Sequence, residues 1–177
     1  GSGGGGGYLP WYFSAWSEDG KKWNKSERPR DGTGPMGEGR GIACSDNLWV
    51  FAGNGTIAWS EDGKKWTNVQ SGYGMTNVQG IAWNGSIWVA VGNMSSIAWS
   101  EDGKNWNEAA KNYPYDRMFG QGNGVAWNGS IWVAVGESSS SYGNNTIAWS
   151  EDGKSWVGLG SNILGYGMGI AWNGNIW

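Results

Sequence analysis

The sequence contains no histidine, a single cysteine (Cys44) and only four prolines in 177 residues. Without histidine the chain lacks the commonest general base and the commonest metal ligand. One cysteine excludes an internal disulfide and a cysteine-rich zinc site. Charged residues make up only 15% of the chain, and the formal net charge of −3 argues against nucleic acid or an anionic membrane surface as a partner. No run of about 18 apolar residues is present, so no membrane-spanning helix is predicted. These shortages argue against an enzyme, and we predict no catalytic residue, no metal and no cofactor.

Glycine and tryptophan are abundant, with 34 and 16 copies respectively. A disordered chain lacks apolar surface to bury, so this tryptophan content favours a folded protein. We expect a flexible glycine-rich segment over residues 1–7 and a single domain over residues 8–177.

Two short units alternate along the chain. The first reads Ala-Trp-Ser-Glu-Asp-Gly-Lys-x-Trp and occupies residues 15–23, 58–66, 98–106 and 148–156. The second reads Gly-Ile/Val-Ala-Trp-Asn-Gly-x-Ile-Trp at 80–88, 124–132 and 169–177, with a variant at 41–49. Each recurs after about 40–50 residues, which is the length of a four-stranded propeller blade.

Each unit is predicted to be a hairpin of two short strands. Asn84-Gly85 is the strongest short hairpin signal and predicts a two-residue type I′ turn. Around it, Ile87, Val89 and Val91 share one face of a strand, and Trp88 and Ala90 share the other. Both faces are apolar, which favours a sheet sandwiched between neighbouring sheets, as in a propeller. No stretch has helical periodicity, so we expect an all-β protein.

The other unit is a hairpin with Glu-Asp-Gly at its turn. The Asp carboxylate is expected to accept bonds from nearby amides, Gly to supply the left-handed residue, and Ser to tie the same turn. At these residues the sequence resembles the Asp-box (BNR) repeat of sialidase-like and sortilin-like β-propellers, in a variant that is one residue shorter between Asp and Trp. The resemblance implies β-propeller hairpins but no particular activity, because that family includes glycosidases, receptors and assembly factors. The predicted structural residues of the boxes are Ser17, Asp19, Gly20, Trp23, Ser60, Asp62, Gly63, Trp66, Ser100, Asp102, Gly103, Trp106, Ser150, Asp152, Gly153 and Trp156.

The order of the units predicts how the fold closes. The chain begins with an unaccompanied Asp-containing hairpin and ends with an unaccompanied Asn-Gly hairpin. Pairing the two would complete a propeller of four four-stranded blades and remove two exposed sheet edges. Three alternatives stay open: residues 8–14 supply the missing edge, the chain is a piece of a longer propeller, or it is half of a dimeric eight-bladed ring.

The connections between hairpins vary in length and content, and strand alternation places them all at one end of the blades. Function usually lies in loops on a rigid scaffold. One variable residue precedes each first strand (Arg40, Gln79, Asn123 and Met168), and these four are predicted to ring a central channel. They either bind a small polar ligand or merely meet water. The candidate ligand-binding residues are Arg40, Tyr73, Gln79, Tyr115, Arg117, Asn123 and Tyr166.

Other residue groups are interpreted as structural. Each Glu-Asp pair lies on its own turn beside a neutralising Lys, which argues against a calcium site or acid catalysis. The tryptophans are expected to form the core, with exposure at Trp11 and at the outermost positions, Trp23, Trp66, Trp106 and Trp156. Cys44 replaces a tryptophan of the repeat and is predicted to be buried.

The function predicted from the sequence is non-enzymatic recognition of a glycan or other cell-surface group through the variable loops. The alternative is a structural or protein-binding scaffold. A remote alternative is a sialidase-like hydrolase, but three of the four arginines (Arg28, Arg30, Arg40) lie in one stretch and Arg117 stands alone. The composition is similar to that of secreted or virion-surface proteins such as phage tail adhesins, which implies an extracellular location. The oligomeric state stays open.

Overall fold

The computed structural model describes residues 14–27, 38–53, 55–69, 77–93, 97–109 and 118–177. Within these ranges the chain forms short strands, each only two to seven residues long. In chain order they are β1 (Ala15–Trp16), β2 (Asn24–Lys25), β3 (Gly39–Cys44), β4 (Trp49–Gly53), β5 (Thr56–Ser60), β6 (Thr67–Asn68), β7 (Val78–Trp83), β8 (Trp88–Gly92), β9 (Ile97–Ser100), β10 (Asn107–Glu108), β11 (Gln121–Trp127), β12 (Trp132–Glu137), β13 (Ile147–Ser150) and β14 (Val157–Gly158).

The strands form three four-stranded antiparallel meanders, β3–β6, β7–β10 and β11–β14, which we call blades II, III and IV. Strands β1 and β2 form a separate two-stranded sheet, the first hairpin, and residues 169–177 are called the last hairpin. The described residues include no helix, and so none with the length and hydropathy of a membrane span. The all-β class and the four-stranded blade predicted from the repeats are confirmed.

Neighbouring blades bury their apolar faces against each other, as the two-faced strand pattern predicted. Val89 and Val91 of β8, with Ile87 just before the strand, lie in one core cluster together with the fully buried Trp132 of blade IV. On the opposite face of the same strand, Trp88 and Ala90 pack in a second cluster with residues of blade II. Blade III is therefore a sheet between two sheets, and each of its two interfaces has its own core.

The blades follow one another in a curved row, which we call the arc. The first strands of successive blades pack directly on one another at its inner side. A Cβ added to Gly80 would lie 3.2 Å from the Cα of Gly124, and one added to Gly124 would lie 3.2 Å from the Cα of Gly169. Any side chain at these positions would push the inner strands apart. At these two positions the glycine that opens the second unit is thus explained by close backbone approach.

The predicted closure of four four-stranded blades does not appear. Among the residues that the structure describes, strand β1 pairs only with β2, and residues 169–177 form no strand. In the three blades the second strand continues past its tryptophan, so that Trp49–Gly53 pairs along the whole of Thr56–Ser60. In the last hairpin the equivalent tryptophan is Trp177.

The Asn-Gly connections are longer than predicted. Trp83 pairs with Trp88, so residues 84–87 form a four-residue loop, and the predicted two-residue type I′ turn is wrong. The Asn84 Oδ1 atom accepts the amides of Ser86 (2.9 Å) and Ile87 (2.8 Å), which closes the loop through a side chain. Asn128 and Asn173 do the same. The positive φ expected at the glycine is confirmed, at 102° in Gly85.

Two predictions about burial are corrected by the packing. Trp66 and Trp156 are 4% and 3% exposed and belong to the cores, whereas Trp23 is 65% exposed as predicted. Trp106 is half-buried, and Trp11 lies outside the described residues. Cys44, predicted to be buried, is exposed. Cys44 lies on the face of blade II that points toward the first hairpin. Among the described residues, no inner strands of a preceding blade cover this face. A tryptophan at position 44, as in the other copies of the repeat, would therefore be exposed as well.

Candidate functional site

The Ser-Glu-Asp-Gly turns are closed by a repeated set of hydrogen bonds. In blade III, Asp102 Oδ1 accepts the amides of Lys104 (2.8 Å) and Asn105 (2.7 Å), and the Ser100 hydroxyl donates to the same atom (3.0 Å). The Gly103 amide donates to Ser100 Oγ, and Trp106 Nε1 donates to the Gly103 carbonyl. Gly103 has φ of 69°, the left-handed conformation expected at this position. The bonds expected of the Asp carboxylate and the Ser hydroxyl are present in this turn.

In blades III and IV the lysine of the turn reaches the preceding blade. Lys104 Nζ lies 3.1 Å from Glu61 Oε1 and 4.0 Å from the ring centroid of Trp59. Lys154 makes the same two contacts with Glu101 and Trp99. The lysine thus neutralises the glutamate of the neighbouring turn, and not its own Glu-Asp pair as we predicted. Within the described ranges, no cluster of three or more acidic, histidine or cysteine side chains could hold a metal ion.

These bonds hold the turn aspartates in their charged form. Burial by itself would raise the pKa of Asp102, but the amide and side chain of Asn105, the Lys104 amide and the Ser100 hydroxyl together lower it to about 2. The pKa of Asp152 is lowered by the corresponding partners, against the same effect of burial. In Asp19 and Asp62 the amide three residues ahead is the largest cause of the lowered pKa. The carboxylates are acceptors in a structural turn.

We expect the protein to lose stability in acid, between about pH 4 and pH 2. The unfolded aspartates titrate near their ordinary pKa of about 3.9, whereas the folded ones stay charged at lower pH, so the unfolded state binds more protons in this window. Asp102 is largely exposed, and after allowing for solvent screening we assign it about 1 kcal/mol of the loss. Calorimetry from pH 5 to pH 2 measures the slope of the melting temperature. The Asp102→Asn variant should show a smaller slope, and a melting temperature independent of pH would contradict the prediction.

A second set of residues lies at the opposite end of the blades from these turns, where each first strand begins. Arg40, Gln79 and Asn123 each stand at a shift in register between the first and second strands of their blade, as the residue without a partner. Such bulges kink the strand and re-aim the side chain, and they are common at the rims of barrels and beside binding sites. The variable residue before each repeated glycine is therefore displaced from the regular ladder.

Each of these residues is bonded to the side chain two positions earlier. Arg40 Nη2 donates to Glu38 Oε2 at 2.8 Å, Gln79 Nε2 to Asn77 Oδ1 at 3.1 Å, and Gln121 Nε2 to Asn123 Oδ1 at 2.9 Å. We call these three the inner-strand polar pairs. The glutamine and asparagine side chains are half-buried, and the Arg40 side chain is 41% exposed. The pairs are held in place and still reach solvent.

Glycines at the ends of the second strands make room for the polar pairs. A Cβ at Gly53 would lie 2.6 Å from the Glu38 carbonyl oxygen. The equivalent Cβ at Gly92 would meet the carbonyl of Asn77, and at Gly136 that of Gln121. The backbone before each bulge therefore passes directly against the second strand of the same blade.

The polar pairs include residues that the sequence analysis missed. Glu38, Asn77 and Gln121 were not among the candidates, although a polar residue two positions before the variable one recurs in all three blades. In the fourth inner segment these positions carry Tyr166 and Met168, which are 48% and 69% exposed. The side-chain Nδ2 of Asn123 donates to the Gly167 carbonyl at 2.8 Å. This bond links the Gln121–Asn123 pair to the fourth inner segment. The predicted candidates Tyr73, Tyr115 and Arg117 lie outside the described residues, as do Arg28 and Arg30.

These features define a class: an all-β, propeller-type repeat protein with polar pairs at the inner rim of its blades. No protein-family model and no curated protein matches the chain. Among solved structures, the chain is similar to one in the crystal structure of a nidogen/laminin complex, with a TM-score of 0.56 and 16% identity over 83% of this chain and 55% of that one. It is also similar to YCF48 bound to D1 peptide, with a TM-score of 0.53 and 17% identity over 80% of this chain and 44% of that one.

A third similar structure is the GH74 enzyme of Niastella koreensis, with a TM-score of 0.50 and 20% identity over 83% of this chain and 21% of that one. These neighbours are propellers, and at such low identity the likeness shows the fold alone. The chain spans about half the length of the first two structures and about a fifth of the third.

Proposed function

We propose that this protein is a non-enzymatic recognition module that binds a glycan or another polar cell-surface group at its inner-strand polar pairs. The observation that carries the proposal is the repetition of a bonded, solvent-reaching polar pair in the bulge of every described blade. A bulge repeated at the same position in three blades brings three polar groups to one rim.

The chemistry of the pairs suits a ligand rich in hydroxyl groups. Asn and Gln amides each offer donors and acceptors, and a sugar hydroxyl needs both. The exposed ring of Tyr166 next to the third pair adds an apolar surface with a polar tip, which suits the face of a sugar. The one carboxylate among the pairs, Glu38, is bonded to Arg40. The side-chain amides of the other two pairs do not ionise near neutral pH, and this supports binding without catalysis.

The setting we propose for this function is extracellular or on a virion surface, and we interpret the four turns as variant Asp-boxes. The supporting observation for the latter is the hydrogen-bond set shared by Asp19, Asp62, Asp102 and Asp152. A protein ligand or a scaffold role is the second candidate. It is favoured by the fold likeness to structures described as a nidogen/laminin complex and as YCF48 bound to D1 peptide.

Binding of labelled protein to a glycan array, followed by calorimetric titration of the best oligosaccharide, tests the proposal. Gln79→Ala should weaken binding about tenfold, the effect of losing one well-made bond to a buried ligand group. Gln79 is the cleanest choice, because among the described residues its side chain bonds only to Asn77, whereas the Asn123 side chain also donates to the Gly167 carbonyl.

The matched control is Ser130→Ala, an exposed polar residue on the four-residue loop at the other end of blade IV. It should bind as well as the unaltered protein. If the Gln79→Ala and Ser130→Ala variants bind with equal affinity, the polar pairs are not part of the binding site. An array without saturable binding, combined with saturable binding of a protein partner, would replace the glycan proposal with the second candidate.

A further inference from the structure

The four-residue loops at the Asn-Gly sequences hold the asparagine side chain against the backbone that follows it. Asn84 Oδ1 accepts the Ser86 amide at 2.9 Å, the Ile87 amide at 2.8 Å and the Ser86 hydroxyl at 3.0 Å. The bond from the Ser86 amide closes a ring of atoms that runs through the Asn84 side chain and the Gly85 backbone. Because the Gly85 nitrogen belongs to this ring, the Asn84 Cγ atom is folded back over it.

The bonds on this oxygen have the arrangement of an oxyanion hole. When a nucleophile adds to a carbonyl carbon, negative charge develops on the oxygen, and donors already aimed at that atom stabilise it. Two backbone amides donate to the side-chain oxygen in Asn84, Asn128 and Asn173, and in Asn84 a hydroxyl donates as well. The loops therefore favour addition to the Cγ atom of these asparagines.

The nucleophile is the nitrogen of the following glycine, which is open to solvent. Gly85 is exposed, and a Cβ on it would meet nothing within 4 Å. Its amide donates no hydrogen bond to any residue that the structure describes. Gly129 and Gly174 are exposed in the same way. A base in the solvent can therefore take the proton from each of these nitrogens.

The Asp-Gly sequences of the turns in blades III and IV lack both conditions. The amides of Gly103 and Gly153 each donate to the hydroxyl oxygen of a serine, Ser100 and Ser150, at 2.8 Å. The lowered pKa of Asp102 keeps its carboxylate charged, and a charged carboxylate resists addition of a nucleophile. These turns are expected to stay chemically unchanged.

Asn123 and Gly124 are the same dipeptide in a different setting, inside the extended strand β11. In a strand, the side chain points away from the sheet and not back over the next peptide group. The Asn123 side chain accepts Gln121 Nε2 at 2.9 Å and donates to the Gly167 carbonyl at 2.8 Å. Among the described residues, no backbone amide donates to it. The ring and the oxyanion hole of the loops are therefore missing at Asn123.

We propose that Asn84, Asn128 and Asn173 are modification sites, at which asparagine is converted to aspartate and isoaspartate without an enzyme. The glycine nitrogen gives its proton to a base in the solvent and bonds to the asparagine Cγ atom. The bond from Cγ to Nδ2 breaks, and the nitrogen leaves as ammonia with a proton from water. Water then adds to either carbonyl carbon of the five-membered imide and opens it to aspartate or isoaspartate.

The conversion changes the charge of one end of the molecule. Each product carries one new negative charge near neutral pH, at the end of the blades opposite the polar pairs. The aspartate product keeps an acceptor for the same amides, as Asp102 shows with the amides of Lys104 and Asn105. Isoaspartate instead adds a carbon atom to the main chain, which displaces these amides.

Peptide mapping by mass spectrometry, during incubation of the native protein in mildly alkaline buffer, tests the proposal. Asn84, Asn128 and Asn173 should convert at least about tenfold faster than Asn123, because only they have donors placed at the side-chain oxygen. In protein unfolded in guanidinium, the four asparagines should convert at similar rates, since they share the Asn-Gly dipeptide and the loops are lost.

The Ser86→Ala variant tests the bonds on the oxygen directly, because it removes the hydroxyl donor to Asn84 from an exposed residue. It should slow conversion of Asn84 roughly threefold, less than the loss of a donor costs in a site without water. Asn128 of the same molecule is the matched control and should convert as before. An unchanged rate at Asn84 overturns the proposed role of these bonds.

Three further results overturn the proposal. Equal rates at Asn84 and Asn123 in the native protein would mean that the dipeptide alone sets the rate. Slower conversion of Asn84 in the native than in the unfolded protein would mean that the loop protects it. Isoaspartate at Asp102 as early as at Asn84 would mean that the bonds of the turn do not prevent the reaction.

Discussion

Replacing Trp156 with alanine is expected to lower the free energy of unfolding by about 3–5 kcal/mol, the range for removing a large aromatic side chain from a packed core. Trp156 is 3% exposed and belongs to the cluster between blades III and IV, so its removal leaves a cavity at that interface. For a chain of this size the loss corresponds to roughly 6–20 °C in melting temperature. Denaturant unfolding followed by circular dichroism measures it.

The repeat provides a matched control in Trp23→Ala. Trp23 closes its own turn with the same bond, from Nε1 to the Gly20 carbonyl at 3.2 Å, but is 65% exposed. We expect a loss of about 1 kcal/mol, the net contribution of one hydrogen bond. Similar losses for the two variants would show that the turn, and not the interface between blades, supplies the stability.

Of the glycine-to-alanine substitutions in blade III, Gly92→Ala is expected to lower the stability of the protein most. The added Cβ would meet the carbonyl oxygen of Asn77 and lie 2.9 Å from the Cα of Val78, and backbone atoms cannot rotate away. Overpacking of this kind costs about 1–3 kcal/mol or more. Because Asn77 accepts the Gln79 bond, we also expect the variant to lose ligand affinity as strongly as Gln79→Ala.

The control for this prediction is Gly165→Ala, which places the same methyl group in open space. It should be neutral or slightly stabilising, because alanine restricts the unfolded chain more than glycine does. Thermal unfolding of the two variants separates steric conflict from the general loss of a glycine. Equal melting temperatures for Gly92→Ala and Gly165→Ala would mean that the strand end at Gly92 can shift to admit a methyl group. Gly92 would then not fix the position of the Asn77–Gln79 pair.

Local patterns predicted the Ser-Glu-Asp-Gly turns and the two-faced strands correctly, because each depends on residues close together in sequence. The partners of Asp102 lie within three positions of it, and the alternation of Val89 and Ala90 follows from strand geometry alone. The same reasoning failed for Cys44 and Trp49. Their exposure depends on whether another blade lies beside blade II, and this is a contact between distant parts of the chain or between chains.

The candidate site was predicted in part. Variation before the repeated glycine indicated Arg40, Gln79 and Asn123, but nothing in the sequence showed that they stand in bulges. The partners Glu38, Asn77 and Gln121 were missed, because side-chain bonds across a bulge depend on backbone geometry that composition does not encode. A search for polar residues two positions apart before each glycine would have found them.

By itself, the sequence determined the unit of this protein: a strand pair with apolar residues on both faces and a self-bonded turn, repeated so that sheets must stack. Stacking is required because neither face of a blade can be left in water without a large loss of hydrophobic stabilisation. Only the tertiary structure decided how far the stack bends and whether its ends meet. That curvature is set by inner glycines in contact across blades, and it leaves Ile42 and Ile176 uncovered at the two ends of an arc.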